Sequence, residues 1–252
     1  MRLIGVVVLA LSASIARAQD RSASVLHVFP VVVNGSQPDG TTYRTSLVMQ
    51  NGGLGSISCW IELVGSAPAL TAPDGSVAVG GLIQQFLPPN SFDLLRTSGA
   101  GPLTTGYATV SCSSPIVAYT VYSTYARSPQ GTLRLSSETA VNSSASATGI
   151  QFIDDAREDG RLALAITNDL TIPALVRLQV FDLYGRLLSA AQLTVAGKTT
   201  VSRFLNEWVA GIPEKHVGPV RLDSNQPIYA AGLKFTRDVV TSVPASLSGF
   251  IR

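Results

Sequence analysis

Residues 106–124 read GYATVSCSSPIVAYTVYST, and residues 218–236 read GPVRLDSNQPIYAAGLKFT. Laid over one another, they share the glycines Gly106 and Gly218, the pairs Pro115-Ile116 and Pro227-Ile228, the alanines Ala118 and Ala230, and the threonines Thr124 and Thr236. Each reads as strand, polar turn and strand, a hairpin carried by two copies of one module. The duplication sets the expected architecture: an all-β chain of two tandem units.

The flanking sequence aligns around this pair. Residues 46–51 (SLVMQN) match residues 163–168 (ALAITN), each a strand that stops at asparagine. Residues 59–64 (CWIELV) lie over residues 176–181 (VRLQVF). Side chains alternate across a strand, so Val176, Leu178 and Val180 mark one inward face, with Cys59, Ile61 and Leu63 at the matching positions. Trp60, Glu62, Arg177 and Gln179 point the other way. Ala108, Val110 and Cys112 share an inward phase, as do Val220, Leu222 and Ser224. Residues 83–96 and 191–204 supply a further arm to each unit. Short strands broken by Gly, Pro, Asn and Asp are the pattern of a small β-sandwich.

Composition agrees. Only 13% of residues are charged, while Gly and Pro are plentiful. The one helical turn expected lies at Asn206-Glu207-Trp208-Val209-Ala210. Residues 1–18 carry Arg2, an apolar run from Leu3 to Leu11 and the small-residue end Ala16-Arg17-Ala18, which is the pattern of a secretory signal peptide. Cleavage after Ala18 leaves Gln19 first, and no later apolar run is long enough to span a bilayer. The expected division is a signal peptide at 1–18, a first module at 24–135, a linker at 136–149 and a second module at 150–252. The linker reading rests on SSETAVNSSASAT, a small, polar stretch with no means of building a core.

The formal charge of +2 belongs to Arg2 and Arg17, and basic and acidic residues balance in the rest of the chain. The mature protein is thus neutral, with no basic surface to recruit a nucleic acid or an anionic membrane. All three lysines, Lys198, Lys215 and Lys234, fall in the second half, leaving the first rich in Ser, Thr and Gly.

The repeated order of strands, with the phrases Tyr43-Arg44-Thr45-Ser46-Leu47-Val48, Leu95-Arg96-Thr97-Ser98-Gly99 and Phe204-Leu205-Asn206-Glu207, resembles uncharacterised exported bacterial proteins built from tandem immunoglobulin-like β-sandwich modules. The resemblance implies that fold and an extracytoplasmic location, periplasmic or at the cell surface. It brings no catalytic residues.

Cys59 and Cys112 both lie on inward phases of the first module, and exported thiols tend to pair, so a disulfide is expected. Two separate buried thiols are the competing reading. The histidines, His27 and His216, stand apart in sequence without metal-binding spacing. There is no G-x-S-x-G elbow, phosphate loop or dinucleotide fingerprint. Asp154, Asp155 and Asp159 cluster in one turn and could supply oxygen ligands to calcium, although Arg157 sits among them and a solvated turn explains them as well. No cofactor is otherwise implied. Trp60 and Tyr122 share outward phases and could form an aromatic platform for a glycan or protein at the cell surface. The alternative packs them against the linker or the second module. The expected function is therefore a non-catalytic exported module for binding, adhesion or structure. A periplasmic pilus-type chaperone is the second reading, and a secreted hydrolase, disfavoured by the missing triad, the third.

Overall fold

The β-branched and aromatic runs become strands almost throughout. The computed structural model describes residues 24–65, 69–71, 77–78, 82–128, 130–237 and 239–247, and the expected signal peptide lies outside them. Strands β1 (Ser24–Ser36), β2 (Thr42–Asn51), β3 (Ile57–Gly65), β4 (Leu70–Thr71), β5 (Val77–Ala78), β6 (Leu82–Leu87), β7 (Ser91–Thr97), β8 (Thr104–Arg127) and β9 (Leu133–Asn142) form one antiparallel sheet. Its order is β5-β4-β7-β2-β1-β8-β3-β6, with β9 also on β8. Strands β10 (Ala147–Asp155), β11 (Gly160–Asn168), β12 (Ala174–Phe181), β13 (Leu187–Val195), β14 (Thr199–Phe204), β15 (Val217–Thr236), β16 (Val239–Val243) and β17 (Ser246–Leu247) form the second. A single helical turn, α1 (Leu205–Trp208), follows β14. Among the described residues no helix is long and apolar enough to cross a membrane.

The repeated stretches are not hairpins. Each is one long strand that changes layers at its Pro-Ile step. Residues Thr104 to Ile116 of β8 pair with β1 and β3, and residues Val117 to Tyr125 pair with β2. In β15, Val217 to Ile228 pair with β10 and β12, and Tyr229 to Thr236 pair with β11. Proline has no N–H to give a ladder, and a strand that bends can carry one sheet over onto another. Ile116 and Ile228, at 1% and 0% exposure, fix the two corners in the core. A polar pair before a proline resembles a turn in sequence; what keeps the strand continuous is the buried isoleucine that follows.

Each curled, sandwich-like sheet encloses its own core. One is built around Phe29, Met49, Ile61, Leu95 and Val110, the other around Phe152, Leu164, Leu178, Val195 and Leu222. The alternation read along β3 and β12 appears in the burial: Cys59, Ile61, Val176, Leu178 and Val180 are each 0% exposed, with Trp60, Glu62 and Arg177 outside. Cys59 and Cys112 form a disulfide, directly opposite each other on β3 and β8 with Cα atoms 4.1 Å apart. At the corresponding register of the second sheet, Val176 faces Ser224.

The asparagines that end β2 and β11 do the same work in both sheets. Asn51 Nδ2 donates to the carbonyls of Gly55, Leu87 and Pro88, and its Oδ1 accepts the Gly53 N–H. Asn168 Nδ2 donates to Ile172 and Val195, and its Oδ1 accepts the Leu170 N–H. Both side chains belong to fully buried residues. Buried carbonyls left unpaired are penalised, so Asn51→Ala should destabilise the protein by about 3 kcal/mol in chemical unfolding. A loss below about 0.5 kcal/mol, the range of ordinary surface changes, would refute that role.

Residues 136–149 are not a flexible linker. Its first half, residues 136–142, extends β9, which pairs with β8 as far as Tyr119↔Asn142, and its last three residues begin β10. The long β8 offers an open edge, Ser and Thr fit a pleated strand, and Ser123 Oγ donates to Glu138 across the pair. The short connection before β10 is pinned as well. Ser144 N–H donates to Val28, and Ser144 Oγ donates to Ala230. The two halves meet through Val31, Tyr122, Val141, Ala165 and Ala231. Thr167 and Thr200 hydroxyls both donate to the Pro30 carbonyl, and Tyr107 donates to Asp169 at 2.7 Å.

Candidate functional site

Register places an aromatic pair on the outer face of β3 and β6. Trp60 lies opposite Gln84, Ser58 opposite Phe86, and Glu62 opposite Leu82. Opposed residues of an antiparallel pair share a face, and diagonal neighbours lie roughly 7–8 Å apart, within reach of an indole and a phenyl ring. Trp60 is 36% exposed and Phe86 63%. Across β8, Ser111 faces both Trp60 and Leu26, so the row reads Leu26, Ser111, Trp60, Gln84. The result is an aromatic platform bordered by an amide, hydroxyls and the Glu62 carboxylate, on a sheet whose inner side is held by the disulfide. Phe86 is legible in sequence only from the alternation of LIQQFL, where it shares the phase of Leu82 and Gln84.

Tyr122 does not join this platform. It is buried, and its hydroxyl donates to the Val31 carbonyl. Burial pushes its phenol above the ordinary range. Its outward phase is real within the first sheet, but that side of β8 faces the second half. The platform is therefore Trp60 with Phe86, not Trp60 with Tyr122.

Tyr122 instead borders a cleft between the halves, with a volume of about 300 Å³. Its walls are apolar and aromatic, among them Val33, Leu233, Tyr43 and Phe235, with Arg203 and Glu207 at its margin. The Arg161 guanidinium lies 3.8 Å from the centroid of the Phe204 ring, which packs edge-on against Phe235 at 5.4 Å. Glu207 accepts the Phe204 N–H at 3.1 Å. Neither histidine borders the cleft.

The acidic turn does not assemble a calcium site. Adjacent residues on a strand point to opposite faces, so Asp154 and Asp155 diverge. Asp154 is buried and its Oδ2 meets His216 Nδ1 at 2.9 Å. Asp155 is held by Arg157 through Nε and Nη2, each at 2.8 Å, and this pairing keeps its carboxyl below the ordinary range. Asp159 sits in the following turn with φ of 60°. Among the described residues no three His, Cys, Asp or Glu side chains gather closely enough to hold a metal.

The histidines serve as internal ties. His27 is buried, with Nδ1 on Ser143 Oγ and Nε2 near the Ser24 and Ile116 carbonyls; burial lowers its pKa. His216 joins three segments: Nδ1 to Asp154 of β10, Nε2 to the Phe181 carbonyl at the end of β12, and its own carbonyl to the Ala156 N–H. Close approach here requires Gly218, where a Cβ would stand 2.1 Å from the Phe181 oxygen.

A scan against protein-family models finds no match, and a search of curated proteins finds no similar sequence.

Proposed function

We propose that the chain is a non-catalytic exported binding protein of two tandem immunoglobulin-like β-sandwich modules, and that its first module holds a cell-surface glycan against Trp60 and Phe86. The observation that carries this reading is the exposed Trp60–Phe86 pair flanked by Gln84, Ser111 and Glu62. A sugar offers an apolar C–H face to an aromatic ring and hydroxyls to amides and carboxylates, and this surface supplies both. The Cys59–Cys112 disulfide supports an oxidising, extracytoplasmic setting. The matching asparagine ties of β2 and β11, and the matching layer changes of β8 and β15, support the repeat.

Two competitors fit less well. A pilus-type chaperone needs a bare edge strand of alternating apolar residues beside a basic anchor in the interdomain cleft; β14, which among the described residues pairs with β11 alone, brings Arg203 to the cleft, but its sequence TTVSRF carries no apolar alternation. A hydrolase built on paired carboxylates needs them to converge, whereas Asp154 is turned inward on His216 and Asp155 is tied to Arg157.

Glycan-array binding of the labelled protein tests the reading. Trp60→Ala and Phe86→Ala should each weaken binding by up to about tenfold and together abolish it, because stacking contributes about 0.5–1.5 kcal/mol per aromatic pair beyond area burial. Both side chains are exposed, so thermal unfolding should stay cooperative. Unchanged binding in the double variant would overturn the assignment, and binding only to proteins would replace the glycan with a protein partner.

A further inference from the structure

Strand β6 ends the first sheet, and among the described residues it pairs with β3 alone. An edge strand presents backbone donors and acceptors to any strand that can lie beside it, and proteins usually blunt such an edge with charge, proline or a bulge. The sequence of β6, LIQQFL, contains no charge, glycine or proline. Leu82 and Phe86 are 69% and 63% exposed, among the most exposed apolar side chains of the first half. By contrast β9, on the same sheet, carries Arg134 and Glu138.

The pattern of β6 is also self-complementary. We propose that β6 is a pairing edge for a second copy of this chain, joined antiparallel about a two-fold axis at Gln84. An axis normal to the sheet keeps the outer faces of both copies on one side. It sets Leu82 opposite Phe86 of the second copy, Phe86 opposite Leu82, and Gln84 opposite Gln84. Apolar side chains then meet apolar ones, and the two amides meet at the axis, where each can donate and accept. Centring the pair on Gln85 would instead oppose Gln84 to Phe86, so the outer face selects the Gln84 register. Pro88 and Pro89 limit the strand beyond Leu87. The joined sheet carries two Trp60 faces side by side, so weak single-site binding gains from having two sites on one assembly.

Sedimentation velocity of the purified protein across a micromolar concentration series tests the pairing. The wild type should reach twice the monomer mass. Gln84→Lys and Gln84→Glu should each sediment as monomers at concentrations where the wild type is dimeric, because like charges fall opposite each other at the axis. Mixing the two variants should restore the double mass. Trp60→Ala should leave the mass unchanged, which separates this proposal from the glycan-binding assignment. A monomeric wild type, charged variants that stay dimeric, or a mixture that stays monomeric would overturn it. So would assemblies that grow beyond two copies, the outcome expected if β6 pairs head-to-tail with the equally uncharged edge strand β13.

Discussion

Replacing Cys59 and Cys112 together by alanine should lower the unfolding free energy of the first half by about 4 kcal/mol, while the second half unfolds as before. The two residues are 53 apart in sequence, and closing a loop of that length removes much of the unfolded chain's freedom. The bond ties β3 to β8, and β8 is also the partner of β1, β2 and β9, so losing it loosens the strand on which that sheet is assembled. The second half has Val176 and Ser224 at the matching register and depends on its core alone. The chain's two tryptophans separate the halves: Trp60 reports on the first and Trp208 on the second. Denaturant unfolding of the double variant in a Trp208→Phe background should move to lower concentration, and the same variant in a Trp60→Phe background should not. Coincident shifts in both backgrounds would mean that the halves unfold as one unit, and no shift in either would refute a stabilising bond.

The parts of this fold that were legible in sequence are those set by local alternation. Along β3 and β12, period-two patterning alone placed Cys59, Ile61, Val176 and Leu178 inside and Trp60 and Arg177 outside. The disulfide followed from two inward phases and the tendency of exported thiols to pair. What failed depended on contacts remote in sequence. Pro115-Ile116 looks like a turn unless one knows that a second layer waits beyond it, where Ile116 is buried. Residues 136–149 look like a linker because their strand character comes from the open edge of β8 rather than from their own hydrophobicity. Tyr122 has an outward phase, but an outward phase says nothing about which surface of one half the other half will cover. Asp154 looks in sequence like a free carboxylate of the acidic turn for a related reason: its partner, His216, is 62 residues away.

The halves are joined by mixed chemistry rather than by a large apolar contact alone. Val31, Tyr122, Ala165 and Ala231 supply the dry part, and the Pro30 carbonyl is taken by the hydroxyls of both Thr167 and Thr200. Tyr107 and Lys198 both reach Asp169, from opposite halves. This arrangement accounts for an apolar cleft existing beside a tightly bonded seam. The hydrogen bonds fix the distance between the halves, and the side chains of the cleft do not fill what remains.

Asp154→Ala should cost about 3 kcal/mol of stability, the upper end of the range for a buried polar group left without its partner, whereas Asp154→Asn should cost much less and change how stability depends on pH. His216 Nε2 faces the Phe181 carbonyl, which only accepts, so that nitrogen carries a proton. Nδ1 and Asp154 Oδ2, 2.9 Å apart, then share one further proton between them, and among the described residues Asp154 Oδ1 has no hydrogen-bond partner. Alanine leaves Nδ1 buried without a partner. Asparagine can donate Nδ2–H to Nδ1 and carries no charge to desolvate. Burial holds the Asp154 carboxyl above its ordinary range, against the opposing pull of the His216 hydrogen bond and the nearby charges of His216 and Lys234, with Asp155 adding to the rise. A raised folded-state pKa means that folding favours the protonated form. That contribution is complete below the unfolded value, about 3.9, and is lost as pH rises through the higher folded value. Other carboxylates titrate too, so the quantity to measure is the stability of wild type minus that of Asp154→Asn at each pH. The difference should favour wild type most on the acidic side and shrink as pH rises. A difference that grows with pH would mean that His216 holds Asp154 as a favourable carboxylate, and the tie would then be an ordinary ion pair.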